Sequence, residues 1–151
     1  MLEWQKQIQY VVNVIDESIK AHQDEFLTLN ALADQLGYSE FYTERKFKAI
    51  SGMVFRDYLR RRKLAFALKE VRDSEKGILE IALDYGFSSH EAFTRAFKSL
   101  YGITPSDYRR HPVPVILRTK INPFDRYFFG QGEIGMVKSS EALKIYFVTI
   151  P

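Results

Sequence analysis

The chain carries the same residue pattern twice, about fifty positions apart. Four residues recur 49 positions later and five more recur 50 positions later: Ala33, Gly37, Tyr38 and Ser39 as Ala82, Gly86, Phe87 and Ser88, then Phe47, Lys48, Gly52, Asp57 and Tyr58 as Phe97, Lys98, Gly102, Asp107 and Tyr108. The change of spacing adds one residue to the second copy, and we assign it to that copy's second helix. Two copies are too few for a solenoid, so the repeat predicts two tandem units of one small helical fold.

The second copy predicts a helix, a tight turn and another helix. Gly86 supplies the positive φ that ends a helix over 78–85. Ser88 has the residue type of an N-cap, and Glu91 lies at the spacing of a capping box. Phe93 and Phe97 give the next helix a buried face. Gly102 then ends that helix, and a last short helix begins at the sequence Thr-Pro, 104–105.

The first copy and its flanks follow the same logic. Thr28 caps a helix over 29–36, and Ser39 caps a helix that runs to about residue 51. Apolar residues at helical spacing predict an amphipathic helix over 3–22. Residues 55–73 contain neither Gly nor Pro and predict one helix of roughly 28 Å. Because successive major grooves lie about 34 Å apart, this linker helix has the length to serve two grooves.

The charge of the chain is unevenly distributed. The net charge is only +3, but residues 45–63 carry eight basic residues and one acidic residue, whereas residues 1–44 carry two basic and eight acidic residues. Local positive charge of this kind indicates a nucleic-acid partner. The chain has no cysteine and three scattered histidines, so we expect no enzyme, cofactor or metal site. The absence of cysteine also fits a reducing cytoplasm, and no apolar run predicts a membrane span or a signal peptide.

The stretch GFSSHEAFTRAFKSLYGITPSDYR, 86–109, resembles the signature of the AraC/XylS-type transcription regulators. The resemblance covers about residues 5–111. It implies a mainly α fold with two helix-turn-helix subdomains joined by a long linker helix, and a regulator, with activation as the expected mode, that binds double-stranded DNA and works with RNA polymerase. Since the two reading helices are unequal and covalently linked, we expect one chain to occupy two successive major grooves of an asymmetric site of roughly 20 bp.

The same resemblance implies which side chains face the groove. The expected base-reading residues are Phe41, Glu44, Arg45, Ser89, His90, Thr94 and Arg95. The expected phosphate contacts are Lys48, Arg56, Arg60, Lys63 and Lys98. Arginine can bond bidentately to guanine, which favours base contact for Arg45 and Arg95. Glu44 could instead pair with Arg45, and the stripe on the linker helix could be a solvated face.

Residues 112–151 differ in composition from the helical part. Two prolines end the helical pattern, and β-forming residues predict strands over 113–121 and 143–150. In some relatives a gyrase-inhibitor-like effector domain follows the DNA-binding part, and this tail resembles its first strand. The alternative function is therefore the DNA-binding part of a drug-sensing regulator, with a small-molecule effector bound by a further domain. A tail that packs on the chain's own helices is the other possibility.

Overall fold

The computed structural model describes residues 2–23 and 27–115, which form seven helices and no strand. The helices are α1 (Leu2–Lys20), α2 (Leu29–Leu36), α3 (Glu40–Ser51), α4 (Phe55–Asp73), α5 (Ile78–Asp84), α6 (His90–Tyr101) and α7 (Pro105–Arg110). This arrangement confirms the predicted pair of helix-turn-helix subdomains joined by a long helix. None of the helices in these ranges is long and apolar enough to cross a membrane.

The chain divides into two compact units, with the boundary between Arg62 and Lys63. The first unit contains α1, α2, α3 and the first part of α4. Its core is apolar and fully buried, with the side chains Ile8, Val12, Ile15, Ile19, Leu32, Ala33, Phe47 and Tyr58. The ring of Phe47 lies 5.9 Å from that of Phe55 and 5.6 Å from that of Tyr58, so aromatic contacts hold α3 against the start of α4.

The second unit repeats this design with α5, α6, α7 and the rest of α4. Its buried side chains include Leu68, Val71, Ile81, Ala82, Phe93, Phe97 and Tyr108. The ring of Phe97 lies 6.0 Å from that of Tyr108, the counterpart of the Phe47–Tyr58 contact. Arg109 donates from Nε to the backbone oxygen of Val71 at 2.8 Å, which satisfies a carbonyl in the last turn of α4.

The predicted helix ends are confirmed at most positions. The hydroxyls of Thr28, Ser39 and Thr104 accept from the backbone N–H three residues on, as N-caps do. Gly52 and Gly102 follow α3 and α6 at φ values of 80° and 79°, in the left-handed region that glycine adopts without strain.

One predicted cap is wrong. The N-cap of α6 is Ser89, whose hydroxyl accepts from the N–H of Ala92 at 3.0 Å, and not Ser88. Glu91 therefore lies one residue too early to complete a capping box with this serine, and it is exposed. The prediction that the added residue lies in the second reading helix is also wrong. Both reading helices contain 12 residues, so the added residue of the second copy lies in the turn after Gly86.

The tail predictions fall mostly outside the described residues. Residues 112–115 form no regular element, and the side chain of Val115 is buried. The strand predicted over 113–121 is therefore wrong for residues 113–115. The rest of that strand, the strand predicted over 143–150 and the proposed start of an effector domain lie outside the described residues.

Candidate nucleic-acid interface

The outer face of α3 presents an aromatic ring and two cations. Phe41 is 73% exposed, the largest exposure among the large hydrophobic side chains of the described residues. The guanidinium carbon of Arg45, one turn further along α3, lies 5.9 Å from the centre of this ring, within the distance of a cation–π contact. Lys48 follows on the exposed side. An exposed ring with a stacked guanidinium fits a base edge, where the ring can contact a thymine methyl.

The outer face of α6 presents a different set. Arg95 and Lys98 are exposed, 50 positions after Arg45 and Lys48, while His90 and Thr94 are half-buried. The hydroxyl of Thr94 lies 3.5 Å from Nδ1 of His90. The structure thus brings these four predicted residues to one helix face. At the position that corresponds to Phe41, α6 carries the exposed Glu91 and no aromatic ring.

Ser89 is placed at the start of α6 and not on its face. Its hydroxyl oxygen accepts the N–H of Ala92, as the N-cap of the helix. The hydroxyl hydrogen remains available as a donor. Replacement of Ser89 would therefore disturb the helix end as well as any DNA contact.

Glu44 does not share the outer face of α3 with Arg45. Its Oε2 accepts the backbone N–H of Phe55 at 3.0 Å, so the half-buried carboxylate caps the first turn of α4. The repeat explains the need for this cap. Position 54 is a valine, where the second unit has the N-cap Thr104. Without a hydroxyl at position 54, a carboxylate from α3 satisfies one of the free donors of α4.

Thr94 is the counterpart of Glu44 in the second unit, and it does not cap the following helix. The residue that follows the N-cap there is Pro105, which has no N–H to satisfy. Thr94 can therefore contribute its hydroxyl to the outer face of α6, whereas Glu44 is engaged with α4. The two units are equivalent in backbone and different in the side chains that they offer.

Fewer of the cations in residues 45–63 are available to DNA than the composition indicates. Lys46 lies 5.5 Å from the ring centre of Tyr42 and 6.0 Å from that of Trp4. Arg62 is buried in a bidentate ion pair with Asp16, at 2.8 and 2.9 Å. Lys63 is half-buried, with Nζ 3.3 Å from the position that a Cβ on Gly86 would take.

Four of the five predicted phosphate contacts are exposed. They are Lys48, Arg56, Arg60 and Lys98. Lys63 lies against the end of α5, where a cation stabilises the negative end of the helix dipole.

The cap by Glu44 and the ion pair of Arg62 were not predicted from the sequence. The absence of a capping residue before Phe55, at the position where the second unit has Thr104, is the signal that could have indicated the first of these.

The second unit also buries two tyrosines that face charged residues. Burial raises the pKa of Tyr85, and the carboxylate of Glu70 raises it further. Burial also raises the pKa of Tyr108, against the opposing effect of Arg72. Both phenols therefore stay neutral at physiological pH. Within the described residues, no group of three His, Asp or Glu side chains could hold a metal ion.

Comparisons with known proteins give the same picture for the helical part. Residues 32–111 match the family described as "Helix-turn-helix domain". The chain is 43% identical over 93 residues to the transposon Tn10 TetD protein of Escherichia coli, across 62% of this chain and 67% of that protein. It is 39% identical over 105 residues to the regulatory protein SoxS of Escherichia coli K12, across 70% and 94%.

A solved structure agrees with these sequence matches. It is a transcriptional regulator with an AraC-type DNA-binding domain from Chromobacterium violaceum. It is 26% identical, superposes with a TM-score of 0.65, and matches 75% of this chain and 100% of its own. The family match over residues 32–111 includes both α3 and α6, so the candidate interface lies within the matched part.

Proposed function

The chain belongs to the AraC-type helix-turn-helix family of DNA-binding transcription regulators, and we propose that α3 and α6 enter two successive major grooves of one asymmetric site. The observation that carries this proposal is the repeated position of one arginine. Arg45 and Arg95 are exposed at the same place on two helices of 12 residues, each two positions before a buried phenylalanine. Each is proposed to bond to a guanine in the major groove.

The two reading faces favour an asymmetric site. The face of α3 combines Phe41 with Arg45, whereas the face of α6 combines His90 and Thr94 with Arg95. Unequal faces select unequal half-sites, because each face meets a different set of base edges. The 19 residues of α4 give a helix of roughly 28 Å, a length that suits grooves about 34 Å apart.

The phosphate contacts proposed are the exposed cations Lys48, Arg56, Arg60 and Lys98. Phosphate contacts fix the register and give affinity without sequence preference. Each contact that is lost should reduce the dependence of the binding constant on salt concentration by about one unit of slope. Glu44 and Lys63 are not proposed as DNA contacts, because both are engaged with the ends of neighbouring helices.

The regulator is proposed to act without catalysis and together with RNA polymerase, in the cytoplasm where its DNA sites lie. Activation is the proposed mode. An activator of this kind binds DNA beside a promoter, and the surface that does not contact DNA is proposed to contact the polymerase. A role for a small-molecule effector stays a prediction, because it depends on residues beyond 115.

Selection of bound sequences from random duplexes tests the proposal. We expect an asymmetric consensus of roughly 20 bp, with two conserved blocks about one helical turn apart. Titration of that duplex against the full chain, followed by analytical ultracentrifugation, should give one chain per duplex. A palindromic consensus that requires two chains would refute the two-headed mode, and binding without any consensus would refute sequence-specific recognition.

A further inference from the structure

We infer that Glu44 is a positioning residue, which fixes the rotation of α3 about its axis and thereby aims Arg45 at its base pair. The inference rests on the proposed function, because it concerns how the first reading helix is held in the groove. Glu44 has the residue type of a base reader, as an acceptor for cytosine, but its carboxylate is engaged elsewhere. Its effect on recognition is therefore indirect.

The contact of Glu44 joins α3 to the first residue of α4 by a hydrogen bond. The carboxylate lies 3.0 Å from the backbone nitrogen of Phe55. One turn further along α3, Phe47 packs edge-on against the rings of Phe55 and Tyr58. Ring contacts are tolerant of small rotations, whereas a hydrogen bond to a backbone N–H has a narrow range of distance and angle. The hydrogen bond is thus the directional part of this helix contact.

The geometry of a helix links this contact to Arg45. Adjacent residues of an α-helix point about 100° apart, so the residue after an inward carboxylate points out toward solvent. A side-chain tip lies roughly 6 Å from the helix axis, and a rotation of about 10° therefore moves it by about 1 Å. A shift of this size is enough to spoil one of the two hydrogen bonds of a bidentate contact.

The second unit supports the assignment because it lacks both the carboxylate and the backbone N–H that form this hydrogen bond. There the position of Phe55 is taken by Pro105, which has no N–H, and the position of Glu44 is taken by Thr94. Thr104 provides the cap locally by accepting from the N–H of Asp107 at 3.2 Å. A local cap stabilises a helix end but does not join it to the reading helix. Glu44 does both in the first unit.

This difference provides matched variants. Glu44→Gln removes the charge and keeps an oxygen that can accept the N–H of Phe55. Glu44→Ala removes the charge and the acceptor together. Adding Val54→Thr to Glu44→Ala supplies the local cap of the second unit without the connection to α3. Val54 already occupies the N-cap position, since its backbone oxygen accepts the N–H of Tyr58 at 3.1 Å.

Two quantities are measured for each variant of the full chain. Urea unfolding gives the folding equilibrium constant. Competition between the selected duplex and its single-base variants gives the discrimination at each base pair. Arg45→Ala identifies the base pair that Arg45 reads, as the one at which discrimination disappears. A bidentate contact there should discriminate by about 5- to 150-fold.

The inference predicts a specific pattern. Glu44→Gln should keep the wild-type discrimination at every base pair. Glu44→Ala should lower the folding constant by about 2- to 30-fold and lower the discrimination at the Arg45 base pair by about threefold or more. The added Val54→Thr should recover most of the folding constant and leave that discrimination low.

Three results would overturn the inference. Loss of preference in Glu44→Gln at a base pair that Arg45 does not read would make Glu44 a base reader. Recovery of discrimination by Val54→Thr would make it a helix cap only, and wild-type discrimination in Glu44→Ala would leave it no role in recognition. A wild-type chain without base preference would refute the proposed function and the positioning role with it, while the unfolding series would still show whether Glu44 caps α4.

Discussion

The buried ion pair between Asp16 and Arg62 gives the most direct test of the packing in the first unit. The two side chains are 8% and 5% exposed and are joined by two hydrogen bonds, at 2.8 and 2.9 Å. Removal of one member takes both hydrogen bonds away from the other buried charge, and breaking a buried pair in this way costs about 3–5 kcal/mol. We therefore expect Arg62→Ala to lower the free energy of unfolding by about that amount.

A double variant separates the ion pair from the cavity that a truncation leaves. Asp16→Leu with Arg62→Met replaces both charges by apolar groups of similar volume. Such replacements are often neutral or stabilising by about 1–4 kcal/mol, so the double variant should be more stable than Arg62→Ala. Trp4, the only tryptophan of the chain, is buried in the same unit, so its fluorescence during urea unfolding reports the transition.

A second bidentate ion pair provides the control. Arg72 and Asp73 are joined at 2.7 and 2.8 Å, but their side chains are 25% and 48% exposed. A pair on the surface contributes about 0–1 kcal/mol. Asp73→Ala breaks this pair but leaves Arg72 beside Tyr108, so it should change stability little when unfolding is followed by far-UV circular dichroism. A loss of less than about 1 kcal/mol in Arg62→Ala, similar to the control, would refute the assignment of this pair to the core of the first unit.

Four further outcomes are expected. Arg95→Ala should lose about 1–3 kcal/mol of discrimination at one base pair, whereas Lys98→Ala should weaken binding evenly across duplexes; an equal loss on all duplexes for Arg95→Ala would exclude base reading there. Phe41→Ala should lower DNA affinity and change the free energy of unfolding by less than about 0.5 kcal/mol. Phe47→Ala removes a fully buried ring and should lower the free energy of unfolding by about 3–5 kcal/mol. Equal effects of the two variants on unfolding would contradict the exposure of Phe41 and the burial of Phe47. Gly102→Ala should cost about 1–2 kcal/mol by calorimetry, because its φ is +79° with no atom within 4 Å, and Gly102→Asn should cost less; the reverse order would show that space and not conformation sets the penalty. Deletion of residues 116–151, which retains the buried Val115, should leave unfolding and DNA affinity of the helical part nearly unchanged; loss of either would show that the tail belongs to the core.

The predicted helices were correct where the signals act over a few residues. Thr28, Ser39 and Thr104 each bond to a backbone N–H three positions on, so the residue type and the following pattern were sufficient. Ser88 and Ser89 show the limit of this approach. Both residues can cap a helix, and the choice depends on the length of the turn after Gly86, which is one residue longer than the turn after Gly37.

The candidate interface was predicted in outline and corrected in detail. The family resemblance implied that Arg45, Arg95 and Lys98 lie on outer faces, and all three side chains are exposed in the structure, whereas Phe47 and Phe97 are buried. The roles of Glu44 and Arg62 did not follow, because each pairs with a group far along the chain, 11 and 46 positions away. The residues on either side of a glutamate or an arginine in a helix do not show whether its side chain faces solvent, a DNA groove or the protein core.

The amino-acid sequence by itself determined the repeat, the boundaries of most helices and the family of regulators, because these depend on residue types at fixed local spacing. Tertiary structure decided which charged groups remain available for DNA. Arg62 is buried in an ion pair with Asp16, and Glu44 accepts a hydrogen bond from the first turn of α4. Lys46 lies beside the aromatic rings of Trp4 and Tyr42. The physical reason is that the free energy of a charge depends on its solvation and on the groups that surround it, and only the packing of distant segments brings those groups together.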